Sequence, residues 1–113
     1  MLFTHYVREG LITLEEAVHV QTGKLAHHFG LHDRGEIAVG KRADLTVFSL
    51  DEIEMRPQQK TYDVPDGQGG HTWRWTRDPA PVRLTVANGE VTFENGAFTD
   101  ARPGEMLRPQ GSA

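Results

Sequence analysis

The sequence contains no cysteine, which excludes disulfide bonds and thiolate metal sites. It also lacks an apolar run approaching the ~18 residues that a membrane-spanning helix needs. The stretch from Met1 to Tyr6 has neither the basic region nor the long apolar core of a signal peptide. We therefore expect a cytoplasmic protein that does not associate with membranes.

An excess of positive charge is missing as well. Twelve Lys and Arg residues stand against sixteen Asp and Glu residues, for a net charge of −4. Binding to a phosphate backbone requires a basic surface, so nucleic acid is not an expected partner. At 113 residues the chain is one domain's worth, and it is too short for a (β/α)₈ barrel, which needs about 250 residues.

The N-terminal third has the periodicity of short amphipathic helices. Gly10 ends the first of them, and Thr13 followed by Glu16 forms a capping box at the start of the second. Gly23 breaks or bends the pattern, and Gly30 follows as a C-terminal cap. We expect the helices at residues 2–9, 14–22 and 24–29.

The segment from Gly35 to Phe48 joins this helical part to a β part. Gly35 and Gly40 bracket a short apolar run, a spacing that suits a tight reversal with positive φ. Residues 43–50 then alternate between apolar and polar, which predicts a strand buried mainly on one face. Asp44 lies among the apolar positions, and we interpret it as a turn-fixing carboxylate satisfied by backbone N–H groups or a cation rather than as a catalytic group.

Two Asn-Gly pairs mark hairpin turns in the C-terminal half. Asn88–Gly89 predicts a two-residue type I′ turn, and Asn95–Gly96 predicts a second turn that leads to Phe98. A two-residue loop pairs Ala87 with Glu90, Val86 with Val91 and Leu84 with Phe93, and the last two pairs, which are apolar, fall on one face.

Residues 51–70 are rich in Gln, Asp, Pro and Gly, which predicts a long loop. After it, His71, Trp73 and Trp75 alternate with polar residues, which predicts a short strand with one aromatic face. We interpret the tryptophans as covering a core or an edge. The alternative is a stacking platform for bases or sugars, although the acidic balance of the chain argues against a polyanionic ligand.

These elements predict the α+β class, with short N-terminal helices packed on a small mixed or antiparallel sheet and no barrel. The sheet is expected from about residues 37–48, 72–76 and 82–98. One domain is expected at 1–102, with a helical part at 1–34 and a β part at 35–102 that includes the loop at about 51–70. A mobile tail is expected at 103–113, in which Met106 and Leu107 could dock.

Several motifs occur in an order that is similar to a known family. They are L-F-T-H-Y-V-R-E at 2–9, I-T-L-E-E-A-V-H at 12–19, F-G-L-H-D-R-G at 29–35, G-E-I-A-V-G-K-R-A-D-L-T-V-F at 35–48 and V-A-N-G-E-V-T-F-E-N-G at 86–96. Together they resemble the C-terminal segment of metal-dependent amidohydrolases of the D-aminoacylase-like (N-acyl-D-amino-acid deacylase) branch. The resemblance covers nearly the whole chain and is weakest between Ile53 and Pro81.

The resemblance implies the C-terminal part of a composite β-sandwich, next to a barrel that carries the chemistry. That chemistry is metal-dependent hydrolysis of a non-peptide C–N bond, in which a bound cation activates water. The family draws its metal ligands from barrel strands, and none of those positions falls within this chain. We therefore assign no catalytic, cofactor-binding or metal-binding residue here, and we expect zinc only in a full-length relative.

The six histidines are also candidate metal ligands in their own right. His27 and His28 are adjacent, so on a helix they point about 100° apart and do not readily share an ion. His28, His32 and Asp33 could approach one another around Gly30. We interpret them as solvated or core-capping groups, with adventitious metal as the next alternative and a genuine site as the third.

Other catalytic patterns are weaker still. His19 follows Glu15 by four residues, which is a surface helix pair rather than a metalloprotease motif. The two serines, Ser49 and Ser112, do not lie in a G-x-S-x-G elbow.

Two hypotheses of different class follow. In the first, the chain is the C-terminal piece or subunit of an amidohydrolase, inactive alone, with a structural role. In the second, it is a free-standing α+β binding or interaction module without catalysis. Because open sheet edges invite pairing, we predict a homodimer or an assembly with a barrel-bearing amidohydrolase chain.

Overall fold

The computed structural model of the chain describes residues 2–79 and 81–110. Its helices are a π-helix at Leu2–Val7, α1 at Leu14–Gln21 and α2 at Gly23–His28. Its strands are β1 at Leu45–Val47, β2 at Gln59–Pro65, β3 at His71–Thr76, β4 at Leu84–Ala87, β5 at Glu90–Glu94 and β6 at Ala97–Phe98. The α+β class is confirmed, with two antiparallel sheets and no closed barrel over the residues described.

The N-cap predicted at Thr13 for the second helix is present. Thr13 has an extended backbone, with φ of −72° and ψ of 156°, and its hydroxyl accepts a hydrogen bond from the Glu16 amide at 3.1 Å. Glu15 and Glu16 occupy the first turn, where the helix dipole favours negative charge. The break at Gly23 is also confirmed, since α1 ends at Gln21 and α2 begins at Gly23.

Gly35 brings the chain back against α2. Its φ of +87° lies in the left-handed region, and a Cβ at this position would lie 2.6 Å from the Cβ of Ala26 and 2.9 Å from the carbonyl oxygen of Thr22. Only a residue without a side chain allows this approach. The tight reversal predicted at Gly35 is therefore real, and it fixes the chain onto α2 before β1 begins.

The larger sheet has the strand order β1-β4-β5-β6. The type I′ turn at its centre is confirmed, with φ of +47° at Asn88 and +79° at Gly89. The pairing of Leu84 with Phe93 is wrong, because the register shifts between Thr85 and Val86. Leu84 instead pairs with Glu94, and Thr85 pairs with Phe93. The extra residue is Thr92, whose hydroxyl donates to the Thr85 carbonyl at 3.2 Å.

The smaller sheet consists of β2 and β3 alone. Two expectations are corrected here: residues 59–65, predicted as loop, form a strand, and β3 does not join the larger sheet. No other helix or strand among the described residues packs against this pair. We call it the β2–β3 arm, defined as residues 59–76.

The hydrophobic core is very small. Among the described residues, only Ala17 and Ala26 are buried apolar side chains, and no large side chain is fully buried. The accessible surface is 8684 Å², whereas a compact monomer of this length exposes about 6,200 Å². The radius of gyration is 17.2 Å, against about 13 Å expected. The fold therefore leaves an unusually large surface uncovered.

The segment from Pro103 to Gln110 has no regular structure but contacts the helical part. The Gln110 amide donates to the Gly30 carbonyl at 2.7 Å. Met106 and Leu107 are 86% and 40% exposed, so docking occurs through Gln110 rather than through these two apolar side chains. The remainder of the predicted tail, 111–113, lies outside the described residues. The domain boundaries themselves stay a prediction.

None of the helices within residues 2–79 and 81–110 has the length and apolar character needed to cross a bilayer.

Candidate functional site

An apolar groove of about 1080 Å³ lies between the helical part and the larger sheet. Leu14 and Val18 of α1 form one side, and Leu45 of β1 with Phe48 forms the other. Ile37, which is 90% exposed, also lines it. Such a wide opening with apolar walls suits a polypeptide surface rather than a small polar ligand.

One ring contact and two hydrogen bonds hold the walls of the groove in place. The rings of Phe3 and Phe48 pack with their centroids 5.2 Å apart, which joins the π-helix to the end of the β1 segment. The Arg8 guanidinium donates to the carbonyl of Leu50 at 2.6 Å and also to the carbonyl of Ile53. The turn after β1 is thereby tied to the N-terminal helix.

Arg34 forms a polar network at the end of the groove where Asp44 lies. Its side chain is only 10% exposed, and its Nε donates to Asp44 Oδ2 at 2.7 Å. Its terminal nitrogens lie 3.2 Å from Asp33 Oδ1, 3.1 Å from Asn88 Oδ1 and 3.5 Å from Glu105 Oε1. We call these five residues the Arg34 network.

Two carboxyl groups of the network, those of Asp33 and Asp44, have pKa values below their ordinary ones. A hydrogen bond from the Asn88 backbone amide, at 2.8 Å, followed by the Arg34 guanidinium, holds the pKa of Asp44 below its ordinary value. A hydrogen bond from the Gln110 side chain and the charge of Arg34 do the same for the pKa of Asp33. The pKa of Arg34 is raised by its bond to Asp44. The turn-fixing interpretation of Asp44 thus agrees with its contacts, which include both a backbone N–H and a cation.

The same network connects the hairpin and the C-terminal segment to the helical part. Asn88 Nδ2 donates to the Pro103 carbonyl at 2.7 Å, and Gln110 Nε2 donates to Asp33 Oδ1 at 2.9 Å. Gln110 Oε1 accepts from the His32 amide at 3.1 Å. Each of these bonds joins segments far apart in sequence, so the network holds the architecture together rather than presenting free chemical groups.

The histidine candidates do not converge on a metal site. The His28 ring packs edge-on against Phe29, with centroids 5.0 Å apart. The Asp33 carboxylate is engaged by Arg34 and Gln110, and the amide of His32 is bound by Gln110. Within 2–79 and 81–110, no three His, Asp or Glu side chains gather in a way that could hold a metal ion.

The tryptophans lie on the β2–β3 arm and do not cover the core. The rings of Trp73 and Trp75 are 5.5 Å apart in an edge-to-face arrangement, and they are 42% and 56% exposed. The Lys60 ammonium lies 4.4 Å from the centroid of the Trp73 ring, a cation–π contact. Arg74 forms two 2.8 Å bonds with Asp63. The arm therefore carries one exposed aromatic face with a cation beside it.

Sequence reasoning missed Arg34 and Lys60. Arg34 stands between Asp33 and Gly35 with no local signal of its role, because its main partners lie 10 and 54 residues away. Lys60 could have been found once β2 was recognised as the partner of β3, since it pairs with Trp75.

Comparison with known proteins identifies relatives that match most of the chain. The profile of the amidohydrolase family matches residues 2–93. The chain is 39% identical to N-acyl-D-glutamate deacylase of Alcaligenes xylosoxydans xylosoxydans over 108 residues, covering 95% of the chain and 19% of that protein. It is 33% identical to D-aminoacylase of the same organism over 104 residues, covering 91% of the chain and 19% of that protein.

A more distant similarity is to allantoinase of Solibacter usitatus, with 30% identity over 103 residues, 89% of the chain and 21% of that protein. The chain thus spans about a fifth of the length of these relatives. No solved structure matched it. Because the family profile covers well over half of the sequence, the chain belongs to the amidohydrolase family.

Proposed function

We propose that this chain is the C-terminal piece or subunit of an amidohydrolase of the N-acyl-D-amino-acid deacylase type, a hydrolase of non-peptide C–N bonds. Its role is structural: it completes a β-sandwich and offers its helical side to a barrel-bearing polypeptide. It has no hydrolytic activity by itself, and zinc belongs to the barrel-bearing part.

One observation carries this proposal: a member of a hydrolase family has almost no core of its own. Two small alanines are its buried apolar residues within the described part, while Ile37 and Val39 are 90% and 107% exposed. Exposed apolar surface on this scale marks an interaction surface in proteins that remain folded. A free-standing module would instead be expected to bury its own large apolar side chains.

The chemistry of the described residues supports the same assignment. Amidohydrolase chemistry needs imidazoles and carboxylates gathered on a cation that activates water. The carboxylates with lowered pKa values near the groove, Asp33 and Asp44, are instead bound by Arg34 and backbone or amide donors. Such groups position segments of the chain and are poorly suited to accept a proton from water.

The first experiment is an activity assay on the purified chain with N-acyl-D-glutamate and other N-acyl-D-amino acids, with and without added Zn²⁺. We expect no turnover above the rate in buffer. Turnover by the chain alone would contradict the proposal, because it would require a complete site within these residues.

The second experiment tests the assembly role directly. The chain is added to an N-acyl-D-glutamate deacylase from which the matching segment has been deleted. Recovered turnover supports the role as a completing piece. A chain that neither binds nor reactivates this protein, and that unfolds cooperatively as a monomer, would favour the free-standing module instead.

A further inference from the structure

Two surfaces of this chain lack a partner in the described structure. One is the apolar groove, and the other is the aromatic face of the β2–β3 arm. An isolated two-stranded ribbon is marginally stable in water, so an arm that packs on no other element needs a surface to lie on. Tyr62, Trp73 and Trp75 of the arm are 64%, 42% and 56% exposed.

Both ends of the arm are connected to residues at the rim of the groove. Met55 and Arg56, before β2, line the groove, and so do Arg77 and Asp78, immediately after β3. Only two residues, 57 and 58, separate Arg56 from β2 on one side, and none separates β3 from Arg77 on the other.

The arm does not occupy the groove of its own copy, since no residue of 59–76 lines the groove. Pro57 and Pro79 lie on the two connections and restrict the backbone there. An element that packs on no other element of its own copy is suited to exchange between two copies of the chain.

We infer that this chain forms a two-fold homodimer in which the β2–β3 arm of each copy lies in the apolar groove of the other. This inference deepens the assembly role proposed above and rests on it, naming a second copy as the partner when no barrel-bearing chain is present. Because both surfaces occur on every copy and adjoin each other, two reciprocal contacts close the assembly at a dimer.

The surface that the chain as a whole leaves uncovered exceeds what a stable interface buries. The chain exposes about 2,500 Å² more than a compact monomer would, and a standard stable interface needs about 800 Å² per partner. Tryptophan and tyrosine are also the side chains that most often dominate binding energy at the centre of an interface.

The charges are complementary as well. The aromatic face of the arm carries the Lys60 ammonium beside Trp73. The groove is lined by more carboxylates than cations, with Glu15 on α1 and Asp78 at its rim. Placing Lys60 near these carboxylates fixes the orientation of the arm, which like-charged surfaces would oppose.

The first measurement is the oligomeric state of the purified chain by sedimentation over a range of concentrations, together with its tryptophan emission. We expect a dimer, with emission that shifts to shorter wavelength as the dimer forms, because Trp73 and Trp75 leave water. A strict monomer at high concentration would overturn the inference, as would a dimer whose tryptophan emission does not change.

The second measurement uses one variant on each surface. Trp73→Ser with Trp75→Ser removes the aromatic face, and Ile37→Glu places a charge in the groove. Each should weaken dimerisation about a hundredfold or more. The matched control is Leu11→Glu, since Leu11 is 67% exposed but does not line the groove, and it should leave the dimer intact.

Mixing the two variants gives the sharpest test. The arm variant keeps an intact groove and Ile37→Glu keeps an intact arm, so one of the two contacts forms in a mixed pair. We expect mixed dimers, detected by labelling one variant, where neither variant dimerises alone. A failure of mixing to restore dimers would contradict the arm-to-groove contact.

The outcomes separate this inference from the proposed function. A monomeric, inactive chain that still reactivates a truncated deacylase would overturn the dimer and leave the assembly role standing. A reciprocal dimer that hydrolyses N-acyl-D-amino acids by itself would support the dimer and contradict the proposed function.

Discussion

The Nε of Arg34 donates to Asp44 Oδ2 at 2.7 Å, and through this bond the end of the helical part is fixed to the start of β1. Asp44 in turn accepts from the Asn88 amide at 2.8 Å, so the tip of the β4–β5 hairpin joins the same point. With so little buried apolar area, we expect these polar bonds to carry more of the stability than such bonds usually do.

Arg34→Ala should therefore lower the free energy of unfolding by about 2 kcal/mol, because several charge-assisted hydrogen bonds are lost together. Arg34→Lys should recover only part of this, since a lysine cannot reproduce the planar fork. Urea denaturation at one fixed protein concentration measures both. As a control, Lys41→Ala removes a pair with the exposed Glu36 and should change stability by less than about 0.5 kcal/mol.

Acid should destabilise the fold through Asp44. The pKa of Asp44 is below its ordinary value of 3.8 in the folded chain, so the unfolded state binds more protons in acid. This contribution to the free energy of unfolding is constant above about pH 5 and is lost as pH falls through the native pKa.

Asp44→Asn should make the acid limb of the stability curve shallower, as measured by urea unfolding at a series of pH values. Asp51→Asn, at an exposed carboxylate outside the Arg34 network, should leave its slope unchanged. If the acid limb of the Asp44 variant is as steep as that of the wild type, other carboxylates dominate the loss of stability in acid.

Gly35→Ala and Gly40→Ala form a matched pair. Both glycines have positive φ, +87° and +90°, so each alanine incurs about 1 kcal/mol of backbone strain. Only at position 35 does the new Cβ also meet Ala26 at 2.6 Å, whereas nothing lies within 4 Å at position 40. Gly35→Ala should therefore cost about 3 kcal/mol in total. Urea denaturation measures both. An equal loss of stability in the two variants would mean that α2 moves aside to admit the new Cβ without a cost in free energy.

Thr13→Ala should loosen the start of α1 by about 1 kcal/mol, because the Glu16 amide loses its acceptor. Thr13→Ser keeps a hydroxyl and should behave like the wild type. Hydrogen exchange at the Glu16 amide reports the change locally. Unaltered exchange in the alanine variant would mean that water replaces the cap without loss.

The sequence was sufficient to predict helix caps and turns, because each of these depends on the backbone conformation of a few neighbouring residues. Thr13 with Glu16, the glycine at 35 and the Asn88–Gly89 turn each act within a few residues, and all three are present. The family resemblance was visible for the same reason, since its motifs cluster at these turns and caps.

Features that depend on distant partners could not be read from the sequence. β2 reads Q-K-T-Y-D-V-P, whose proline and aspartate weaken the strand pattern until β3 pairs with it. The bulge at Thr92 adds one residue that a two-residue turn rule does not anticipate. The contacts of Arg34 join positions 33, 44, 88 and 105, which no local pattern connects.

The burial of only Ala17 and Ala26 among the described apolar side chains has a consequence for handling this protein. If folding and association are one coupled equilibrium, dilution acts as a denaturant, and the midpoint of thermal melting rises with the amount of chain present. Any comparison of variants must then be made at equal molarity, since a weakened contact and a dilute sample would look alike.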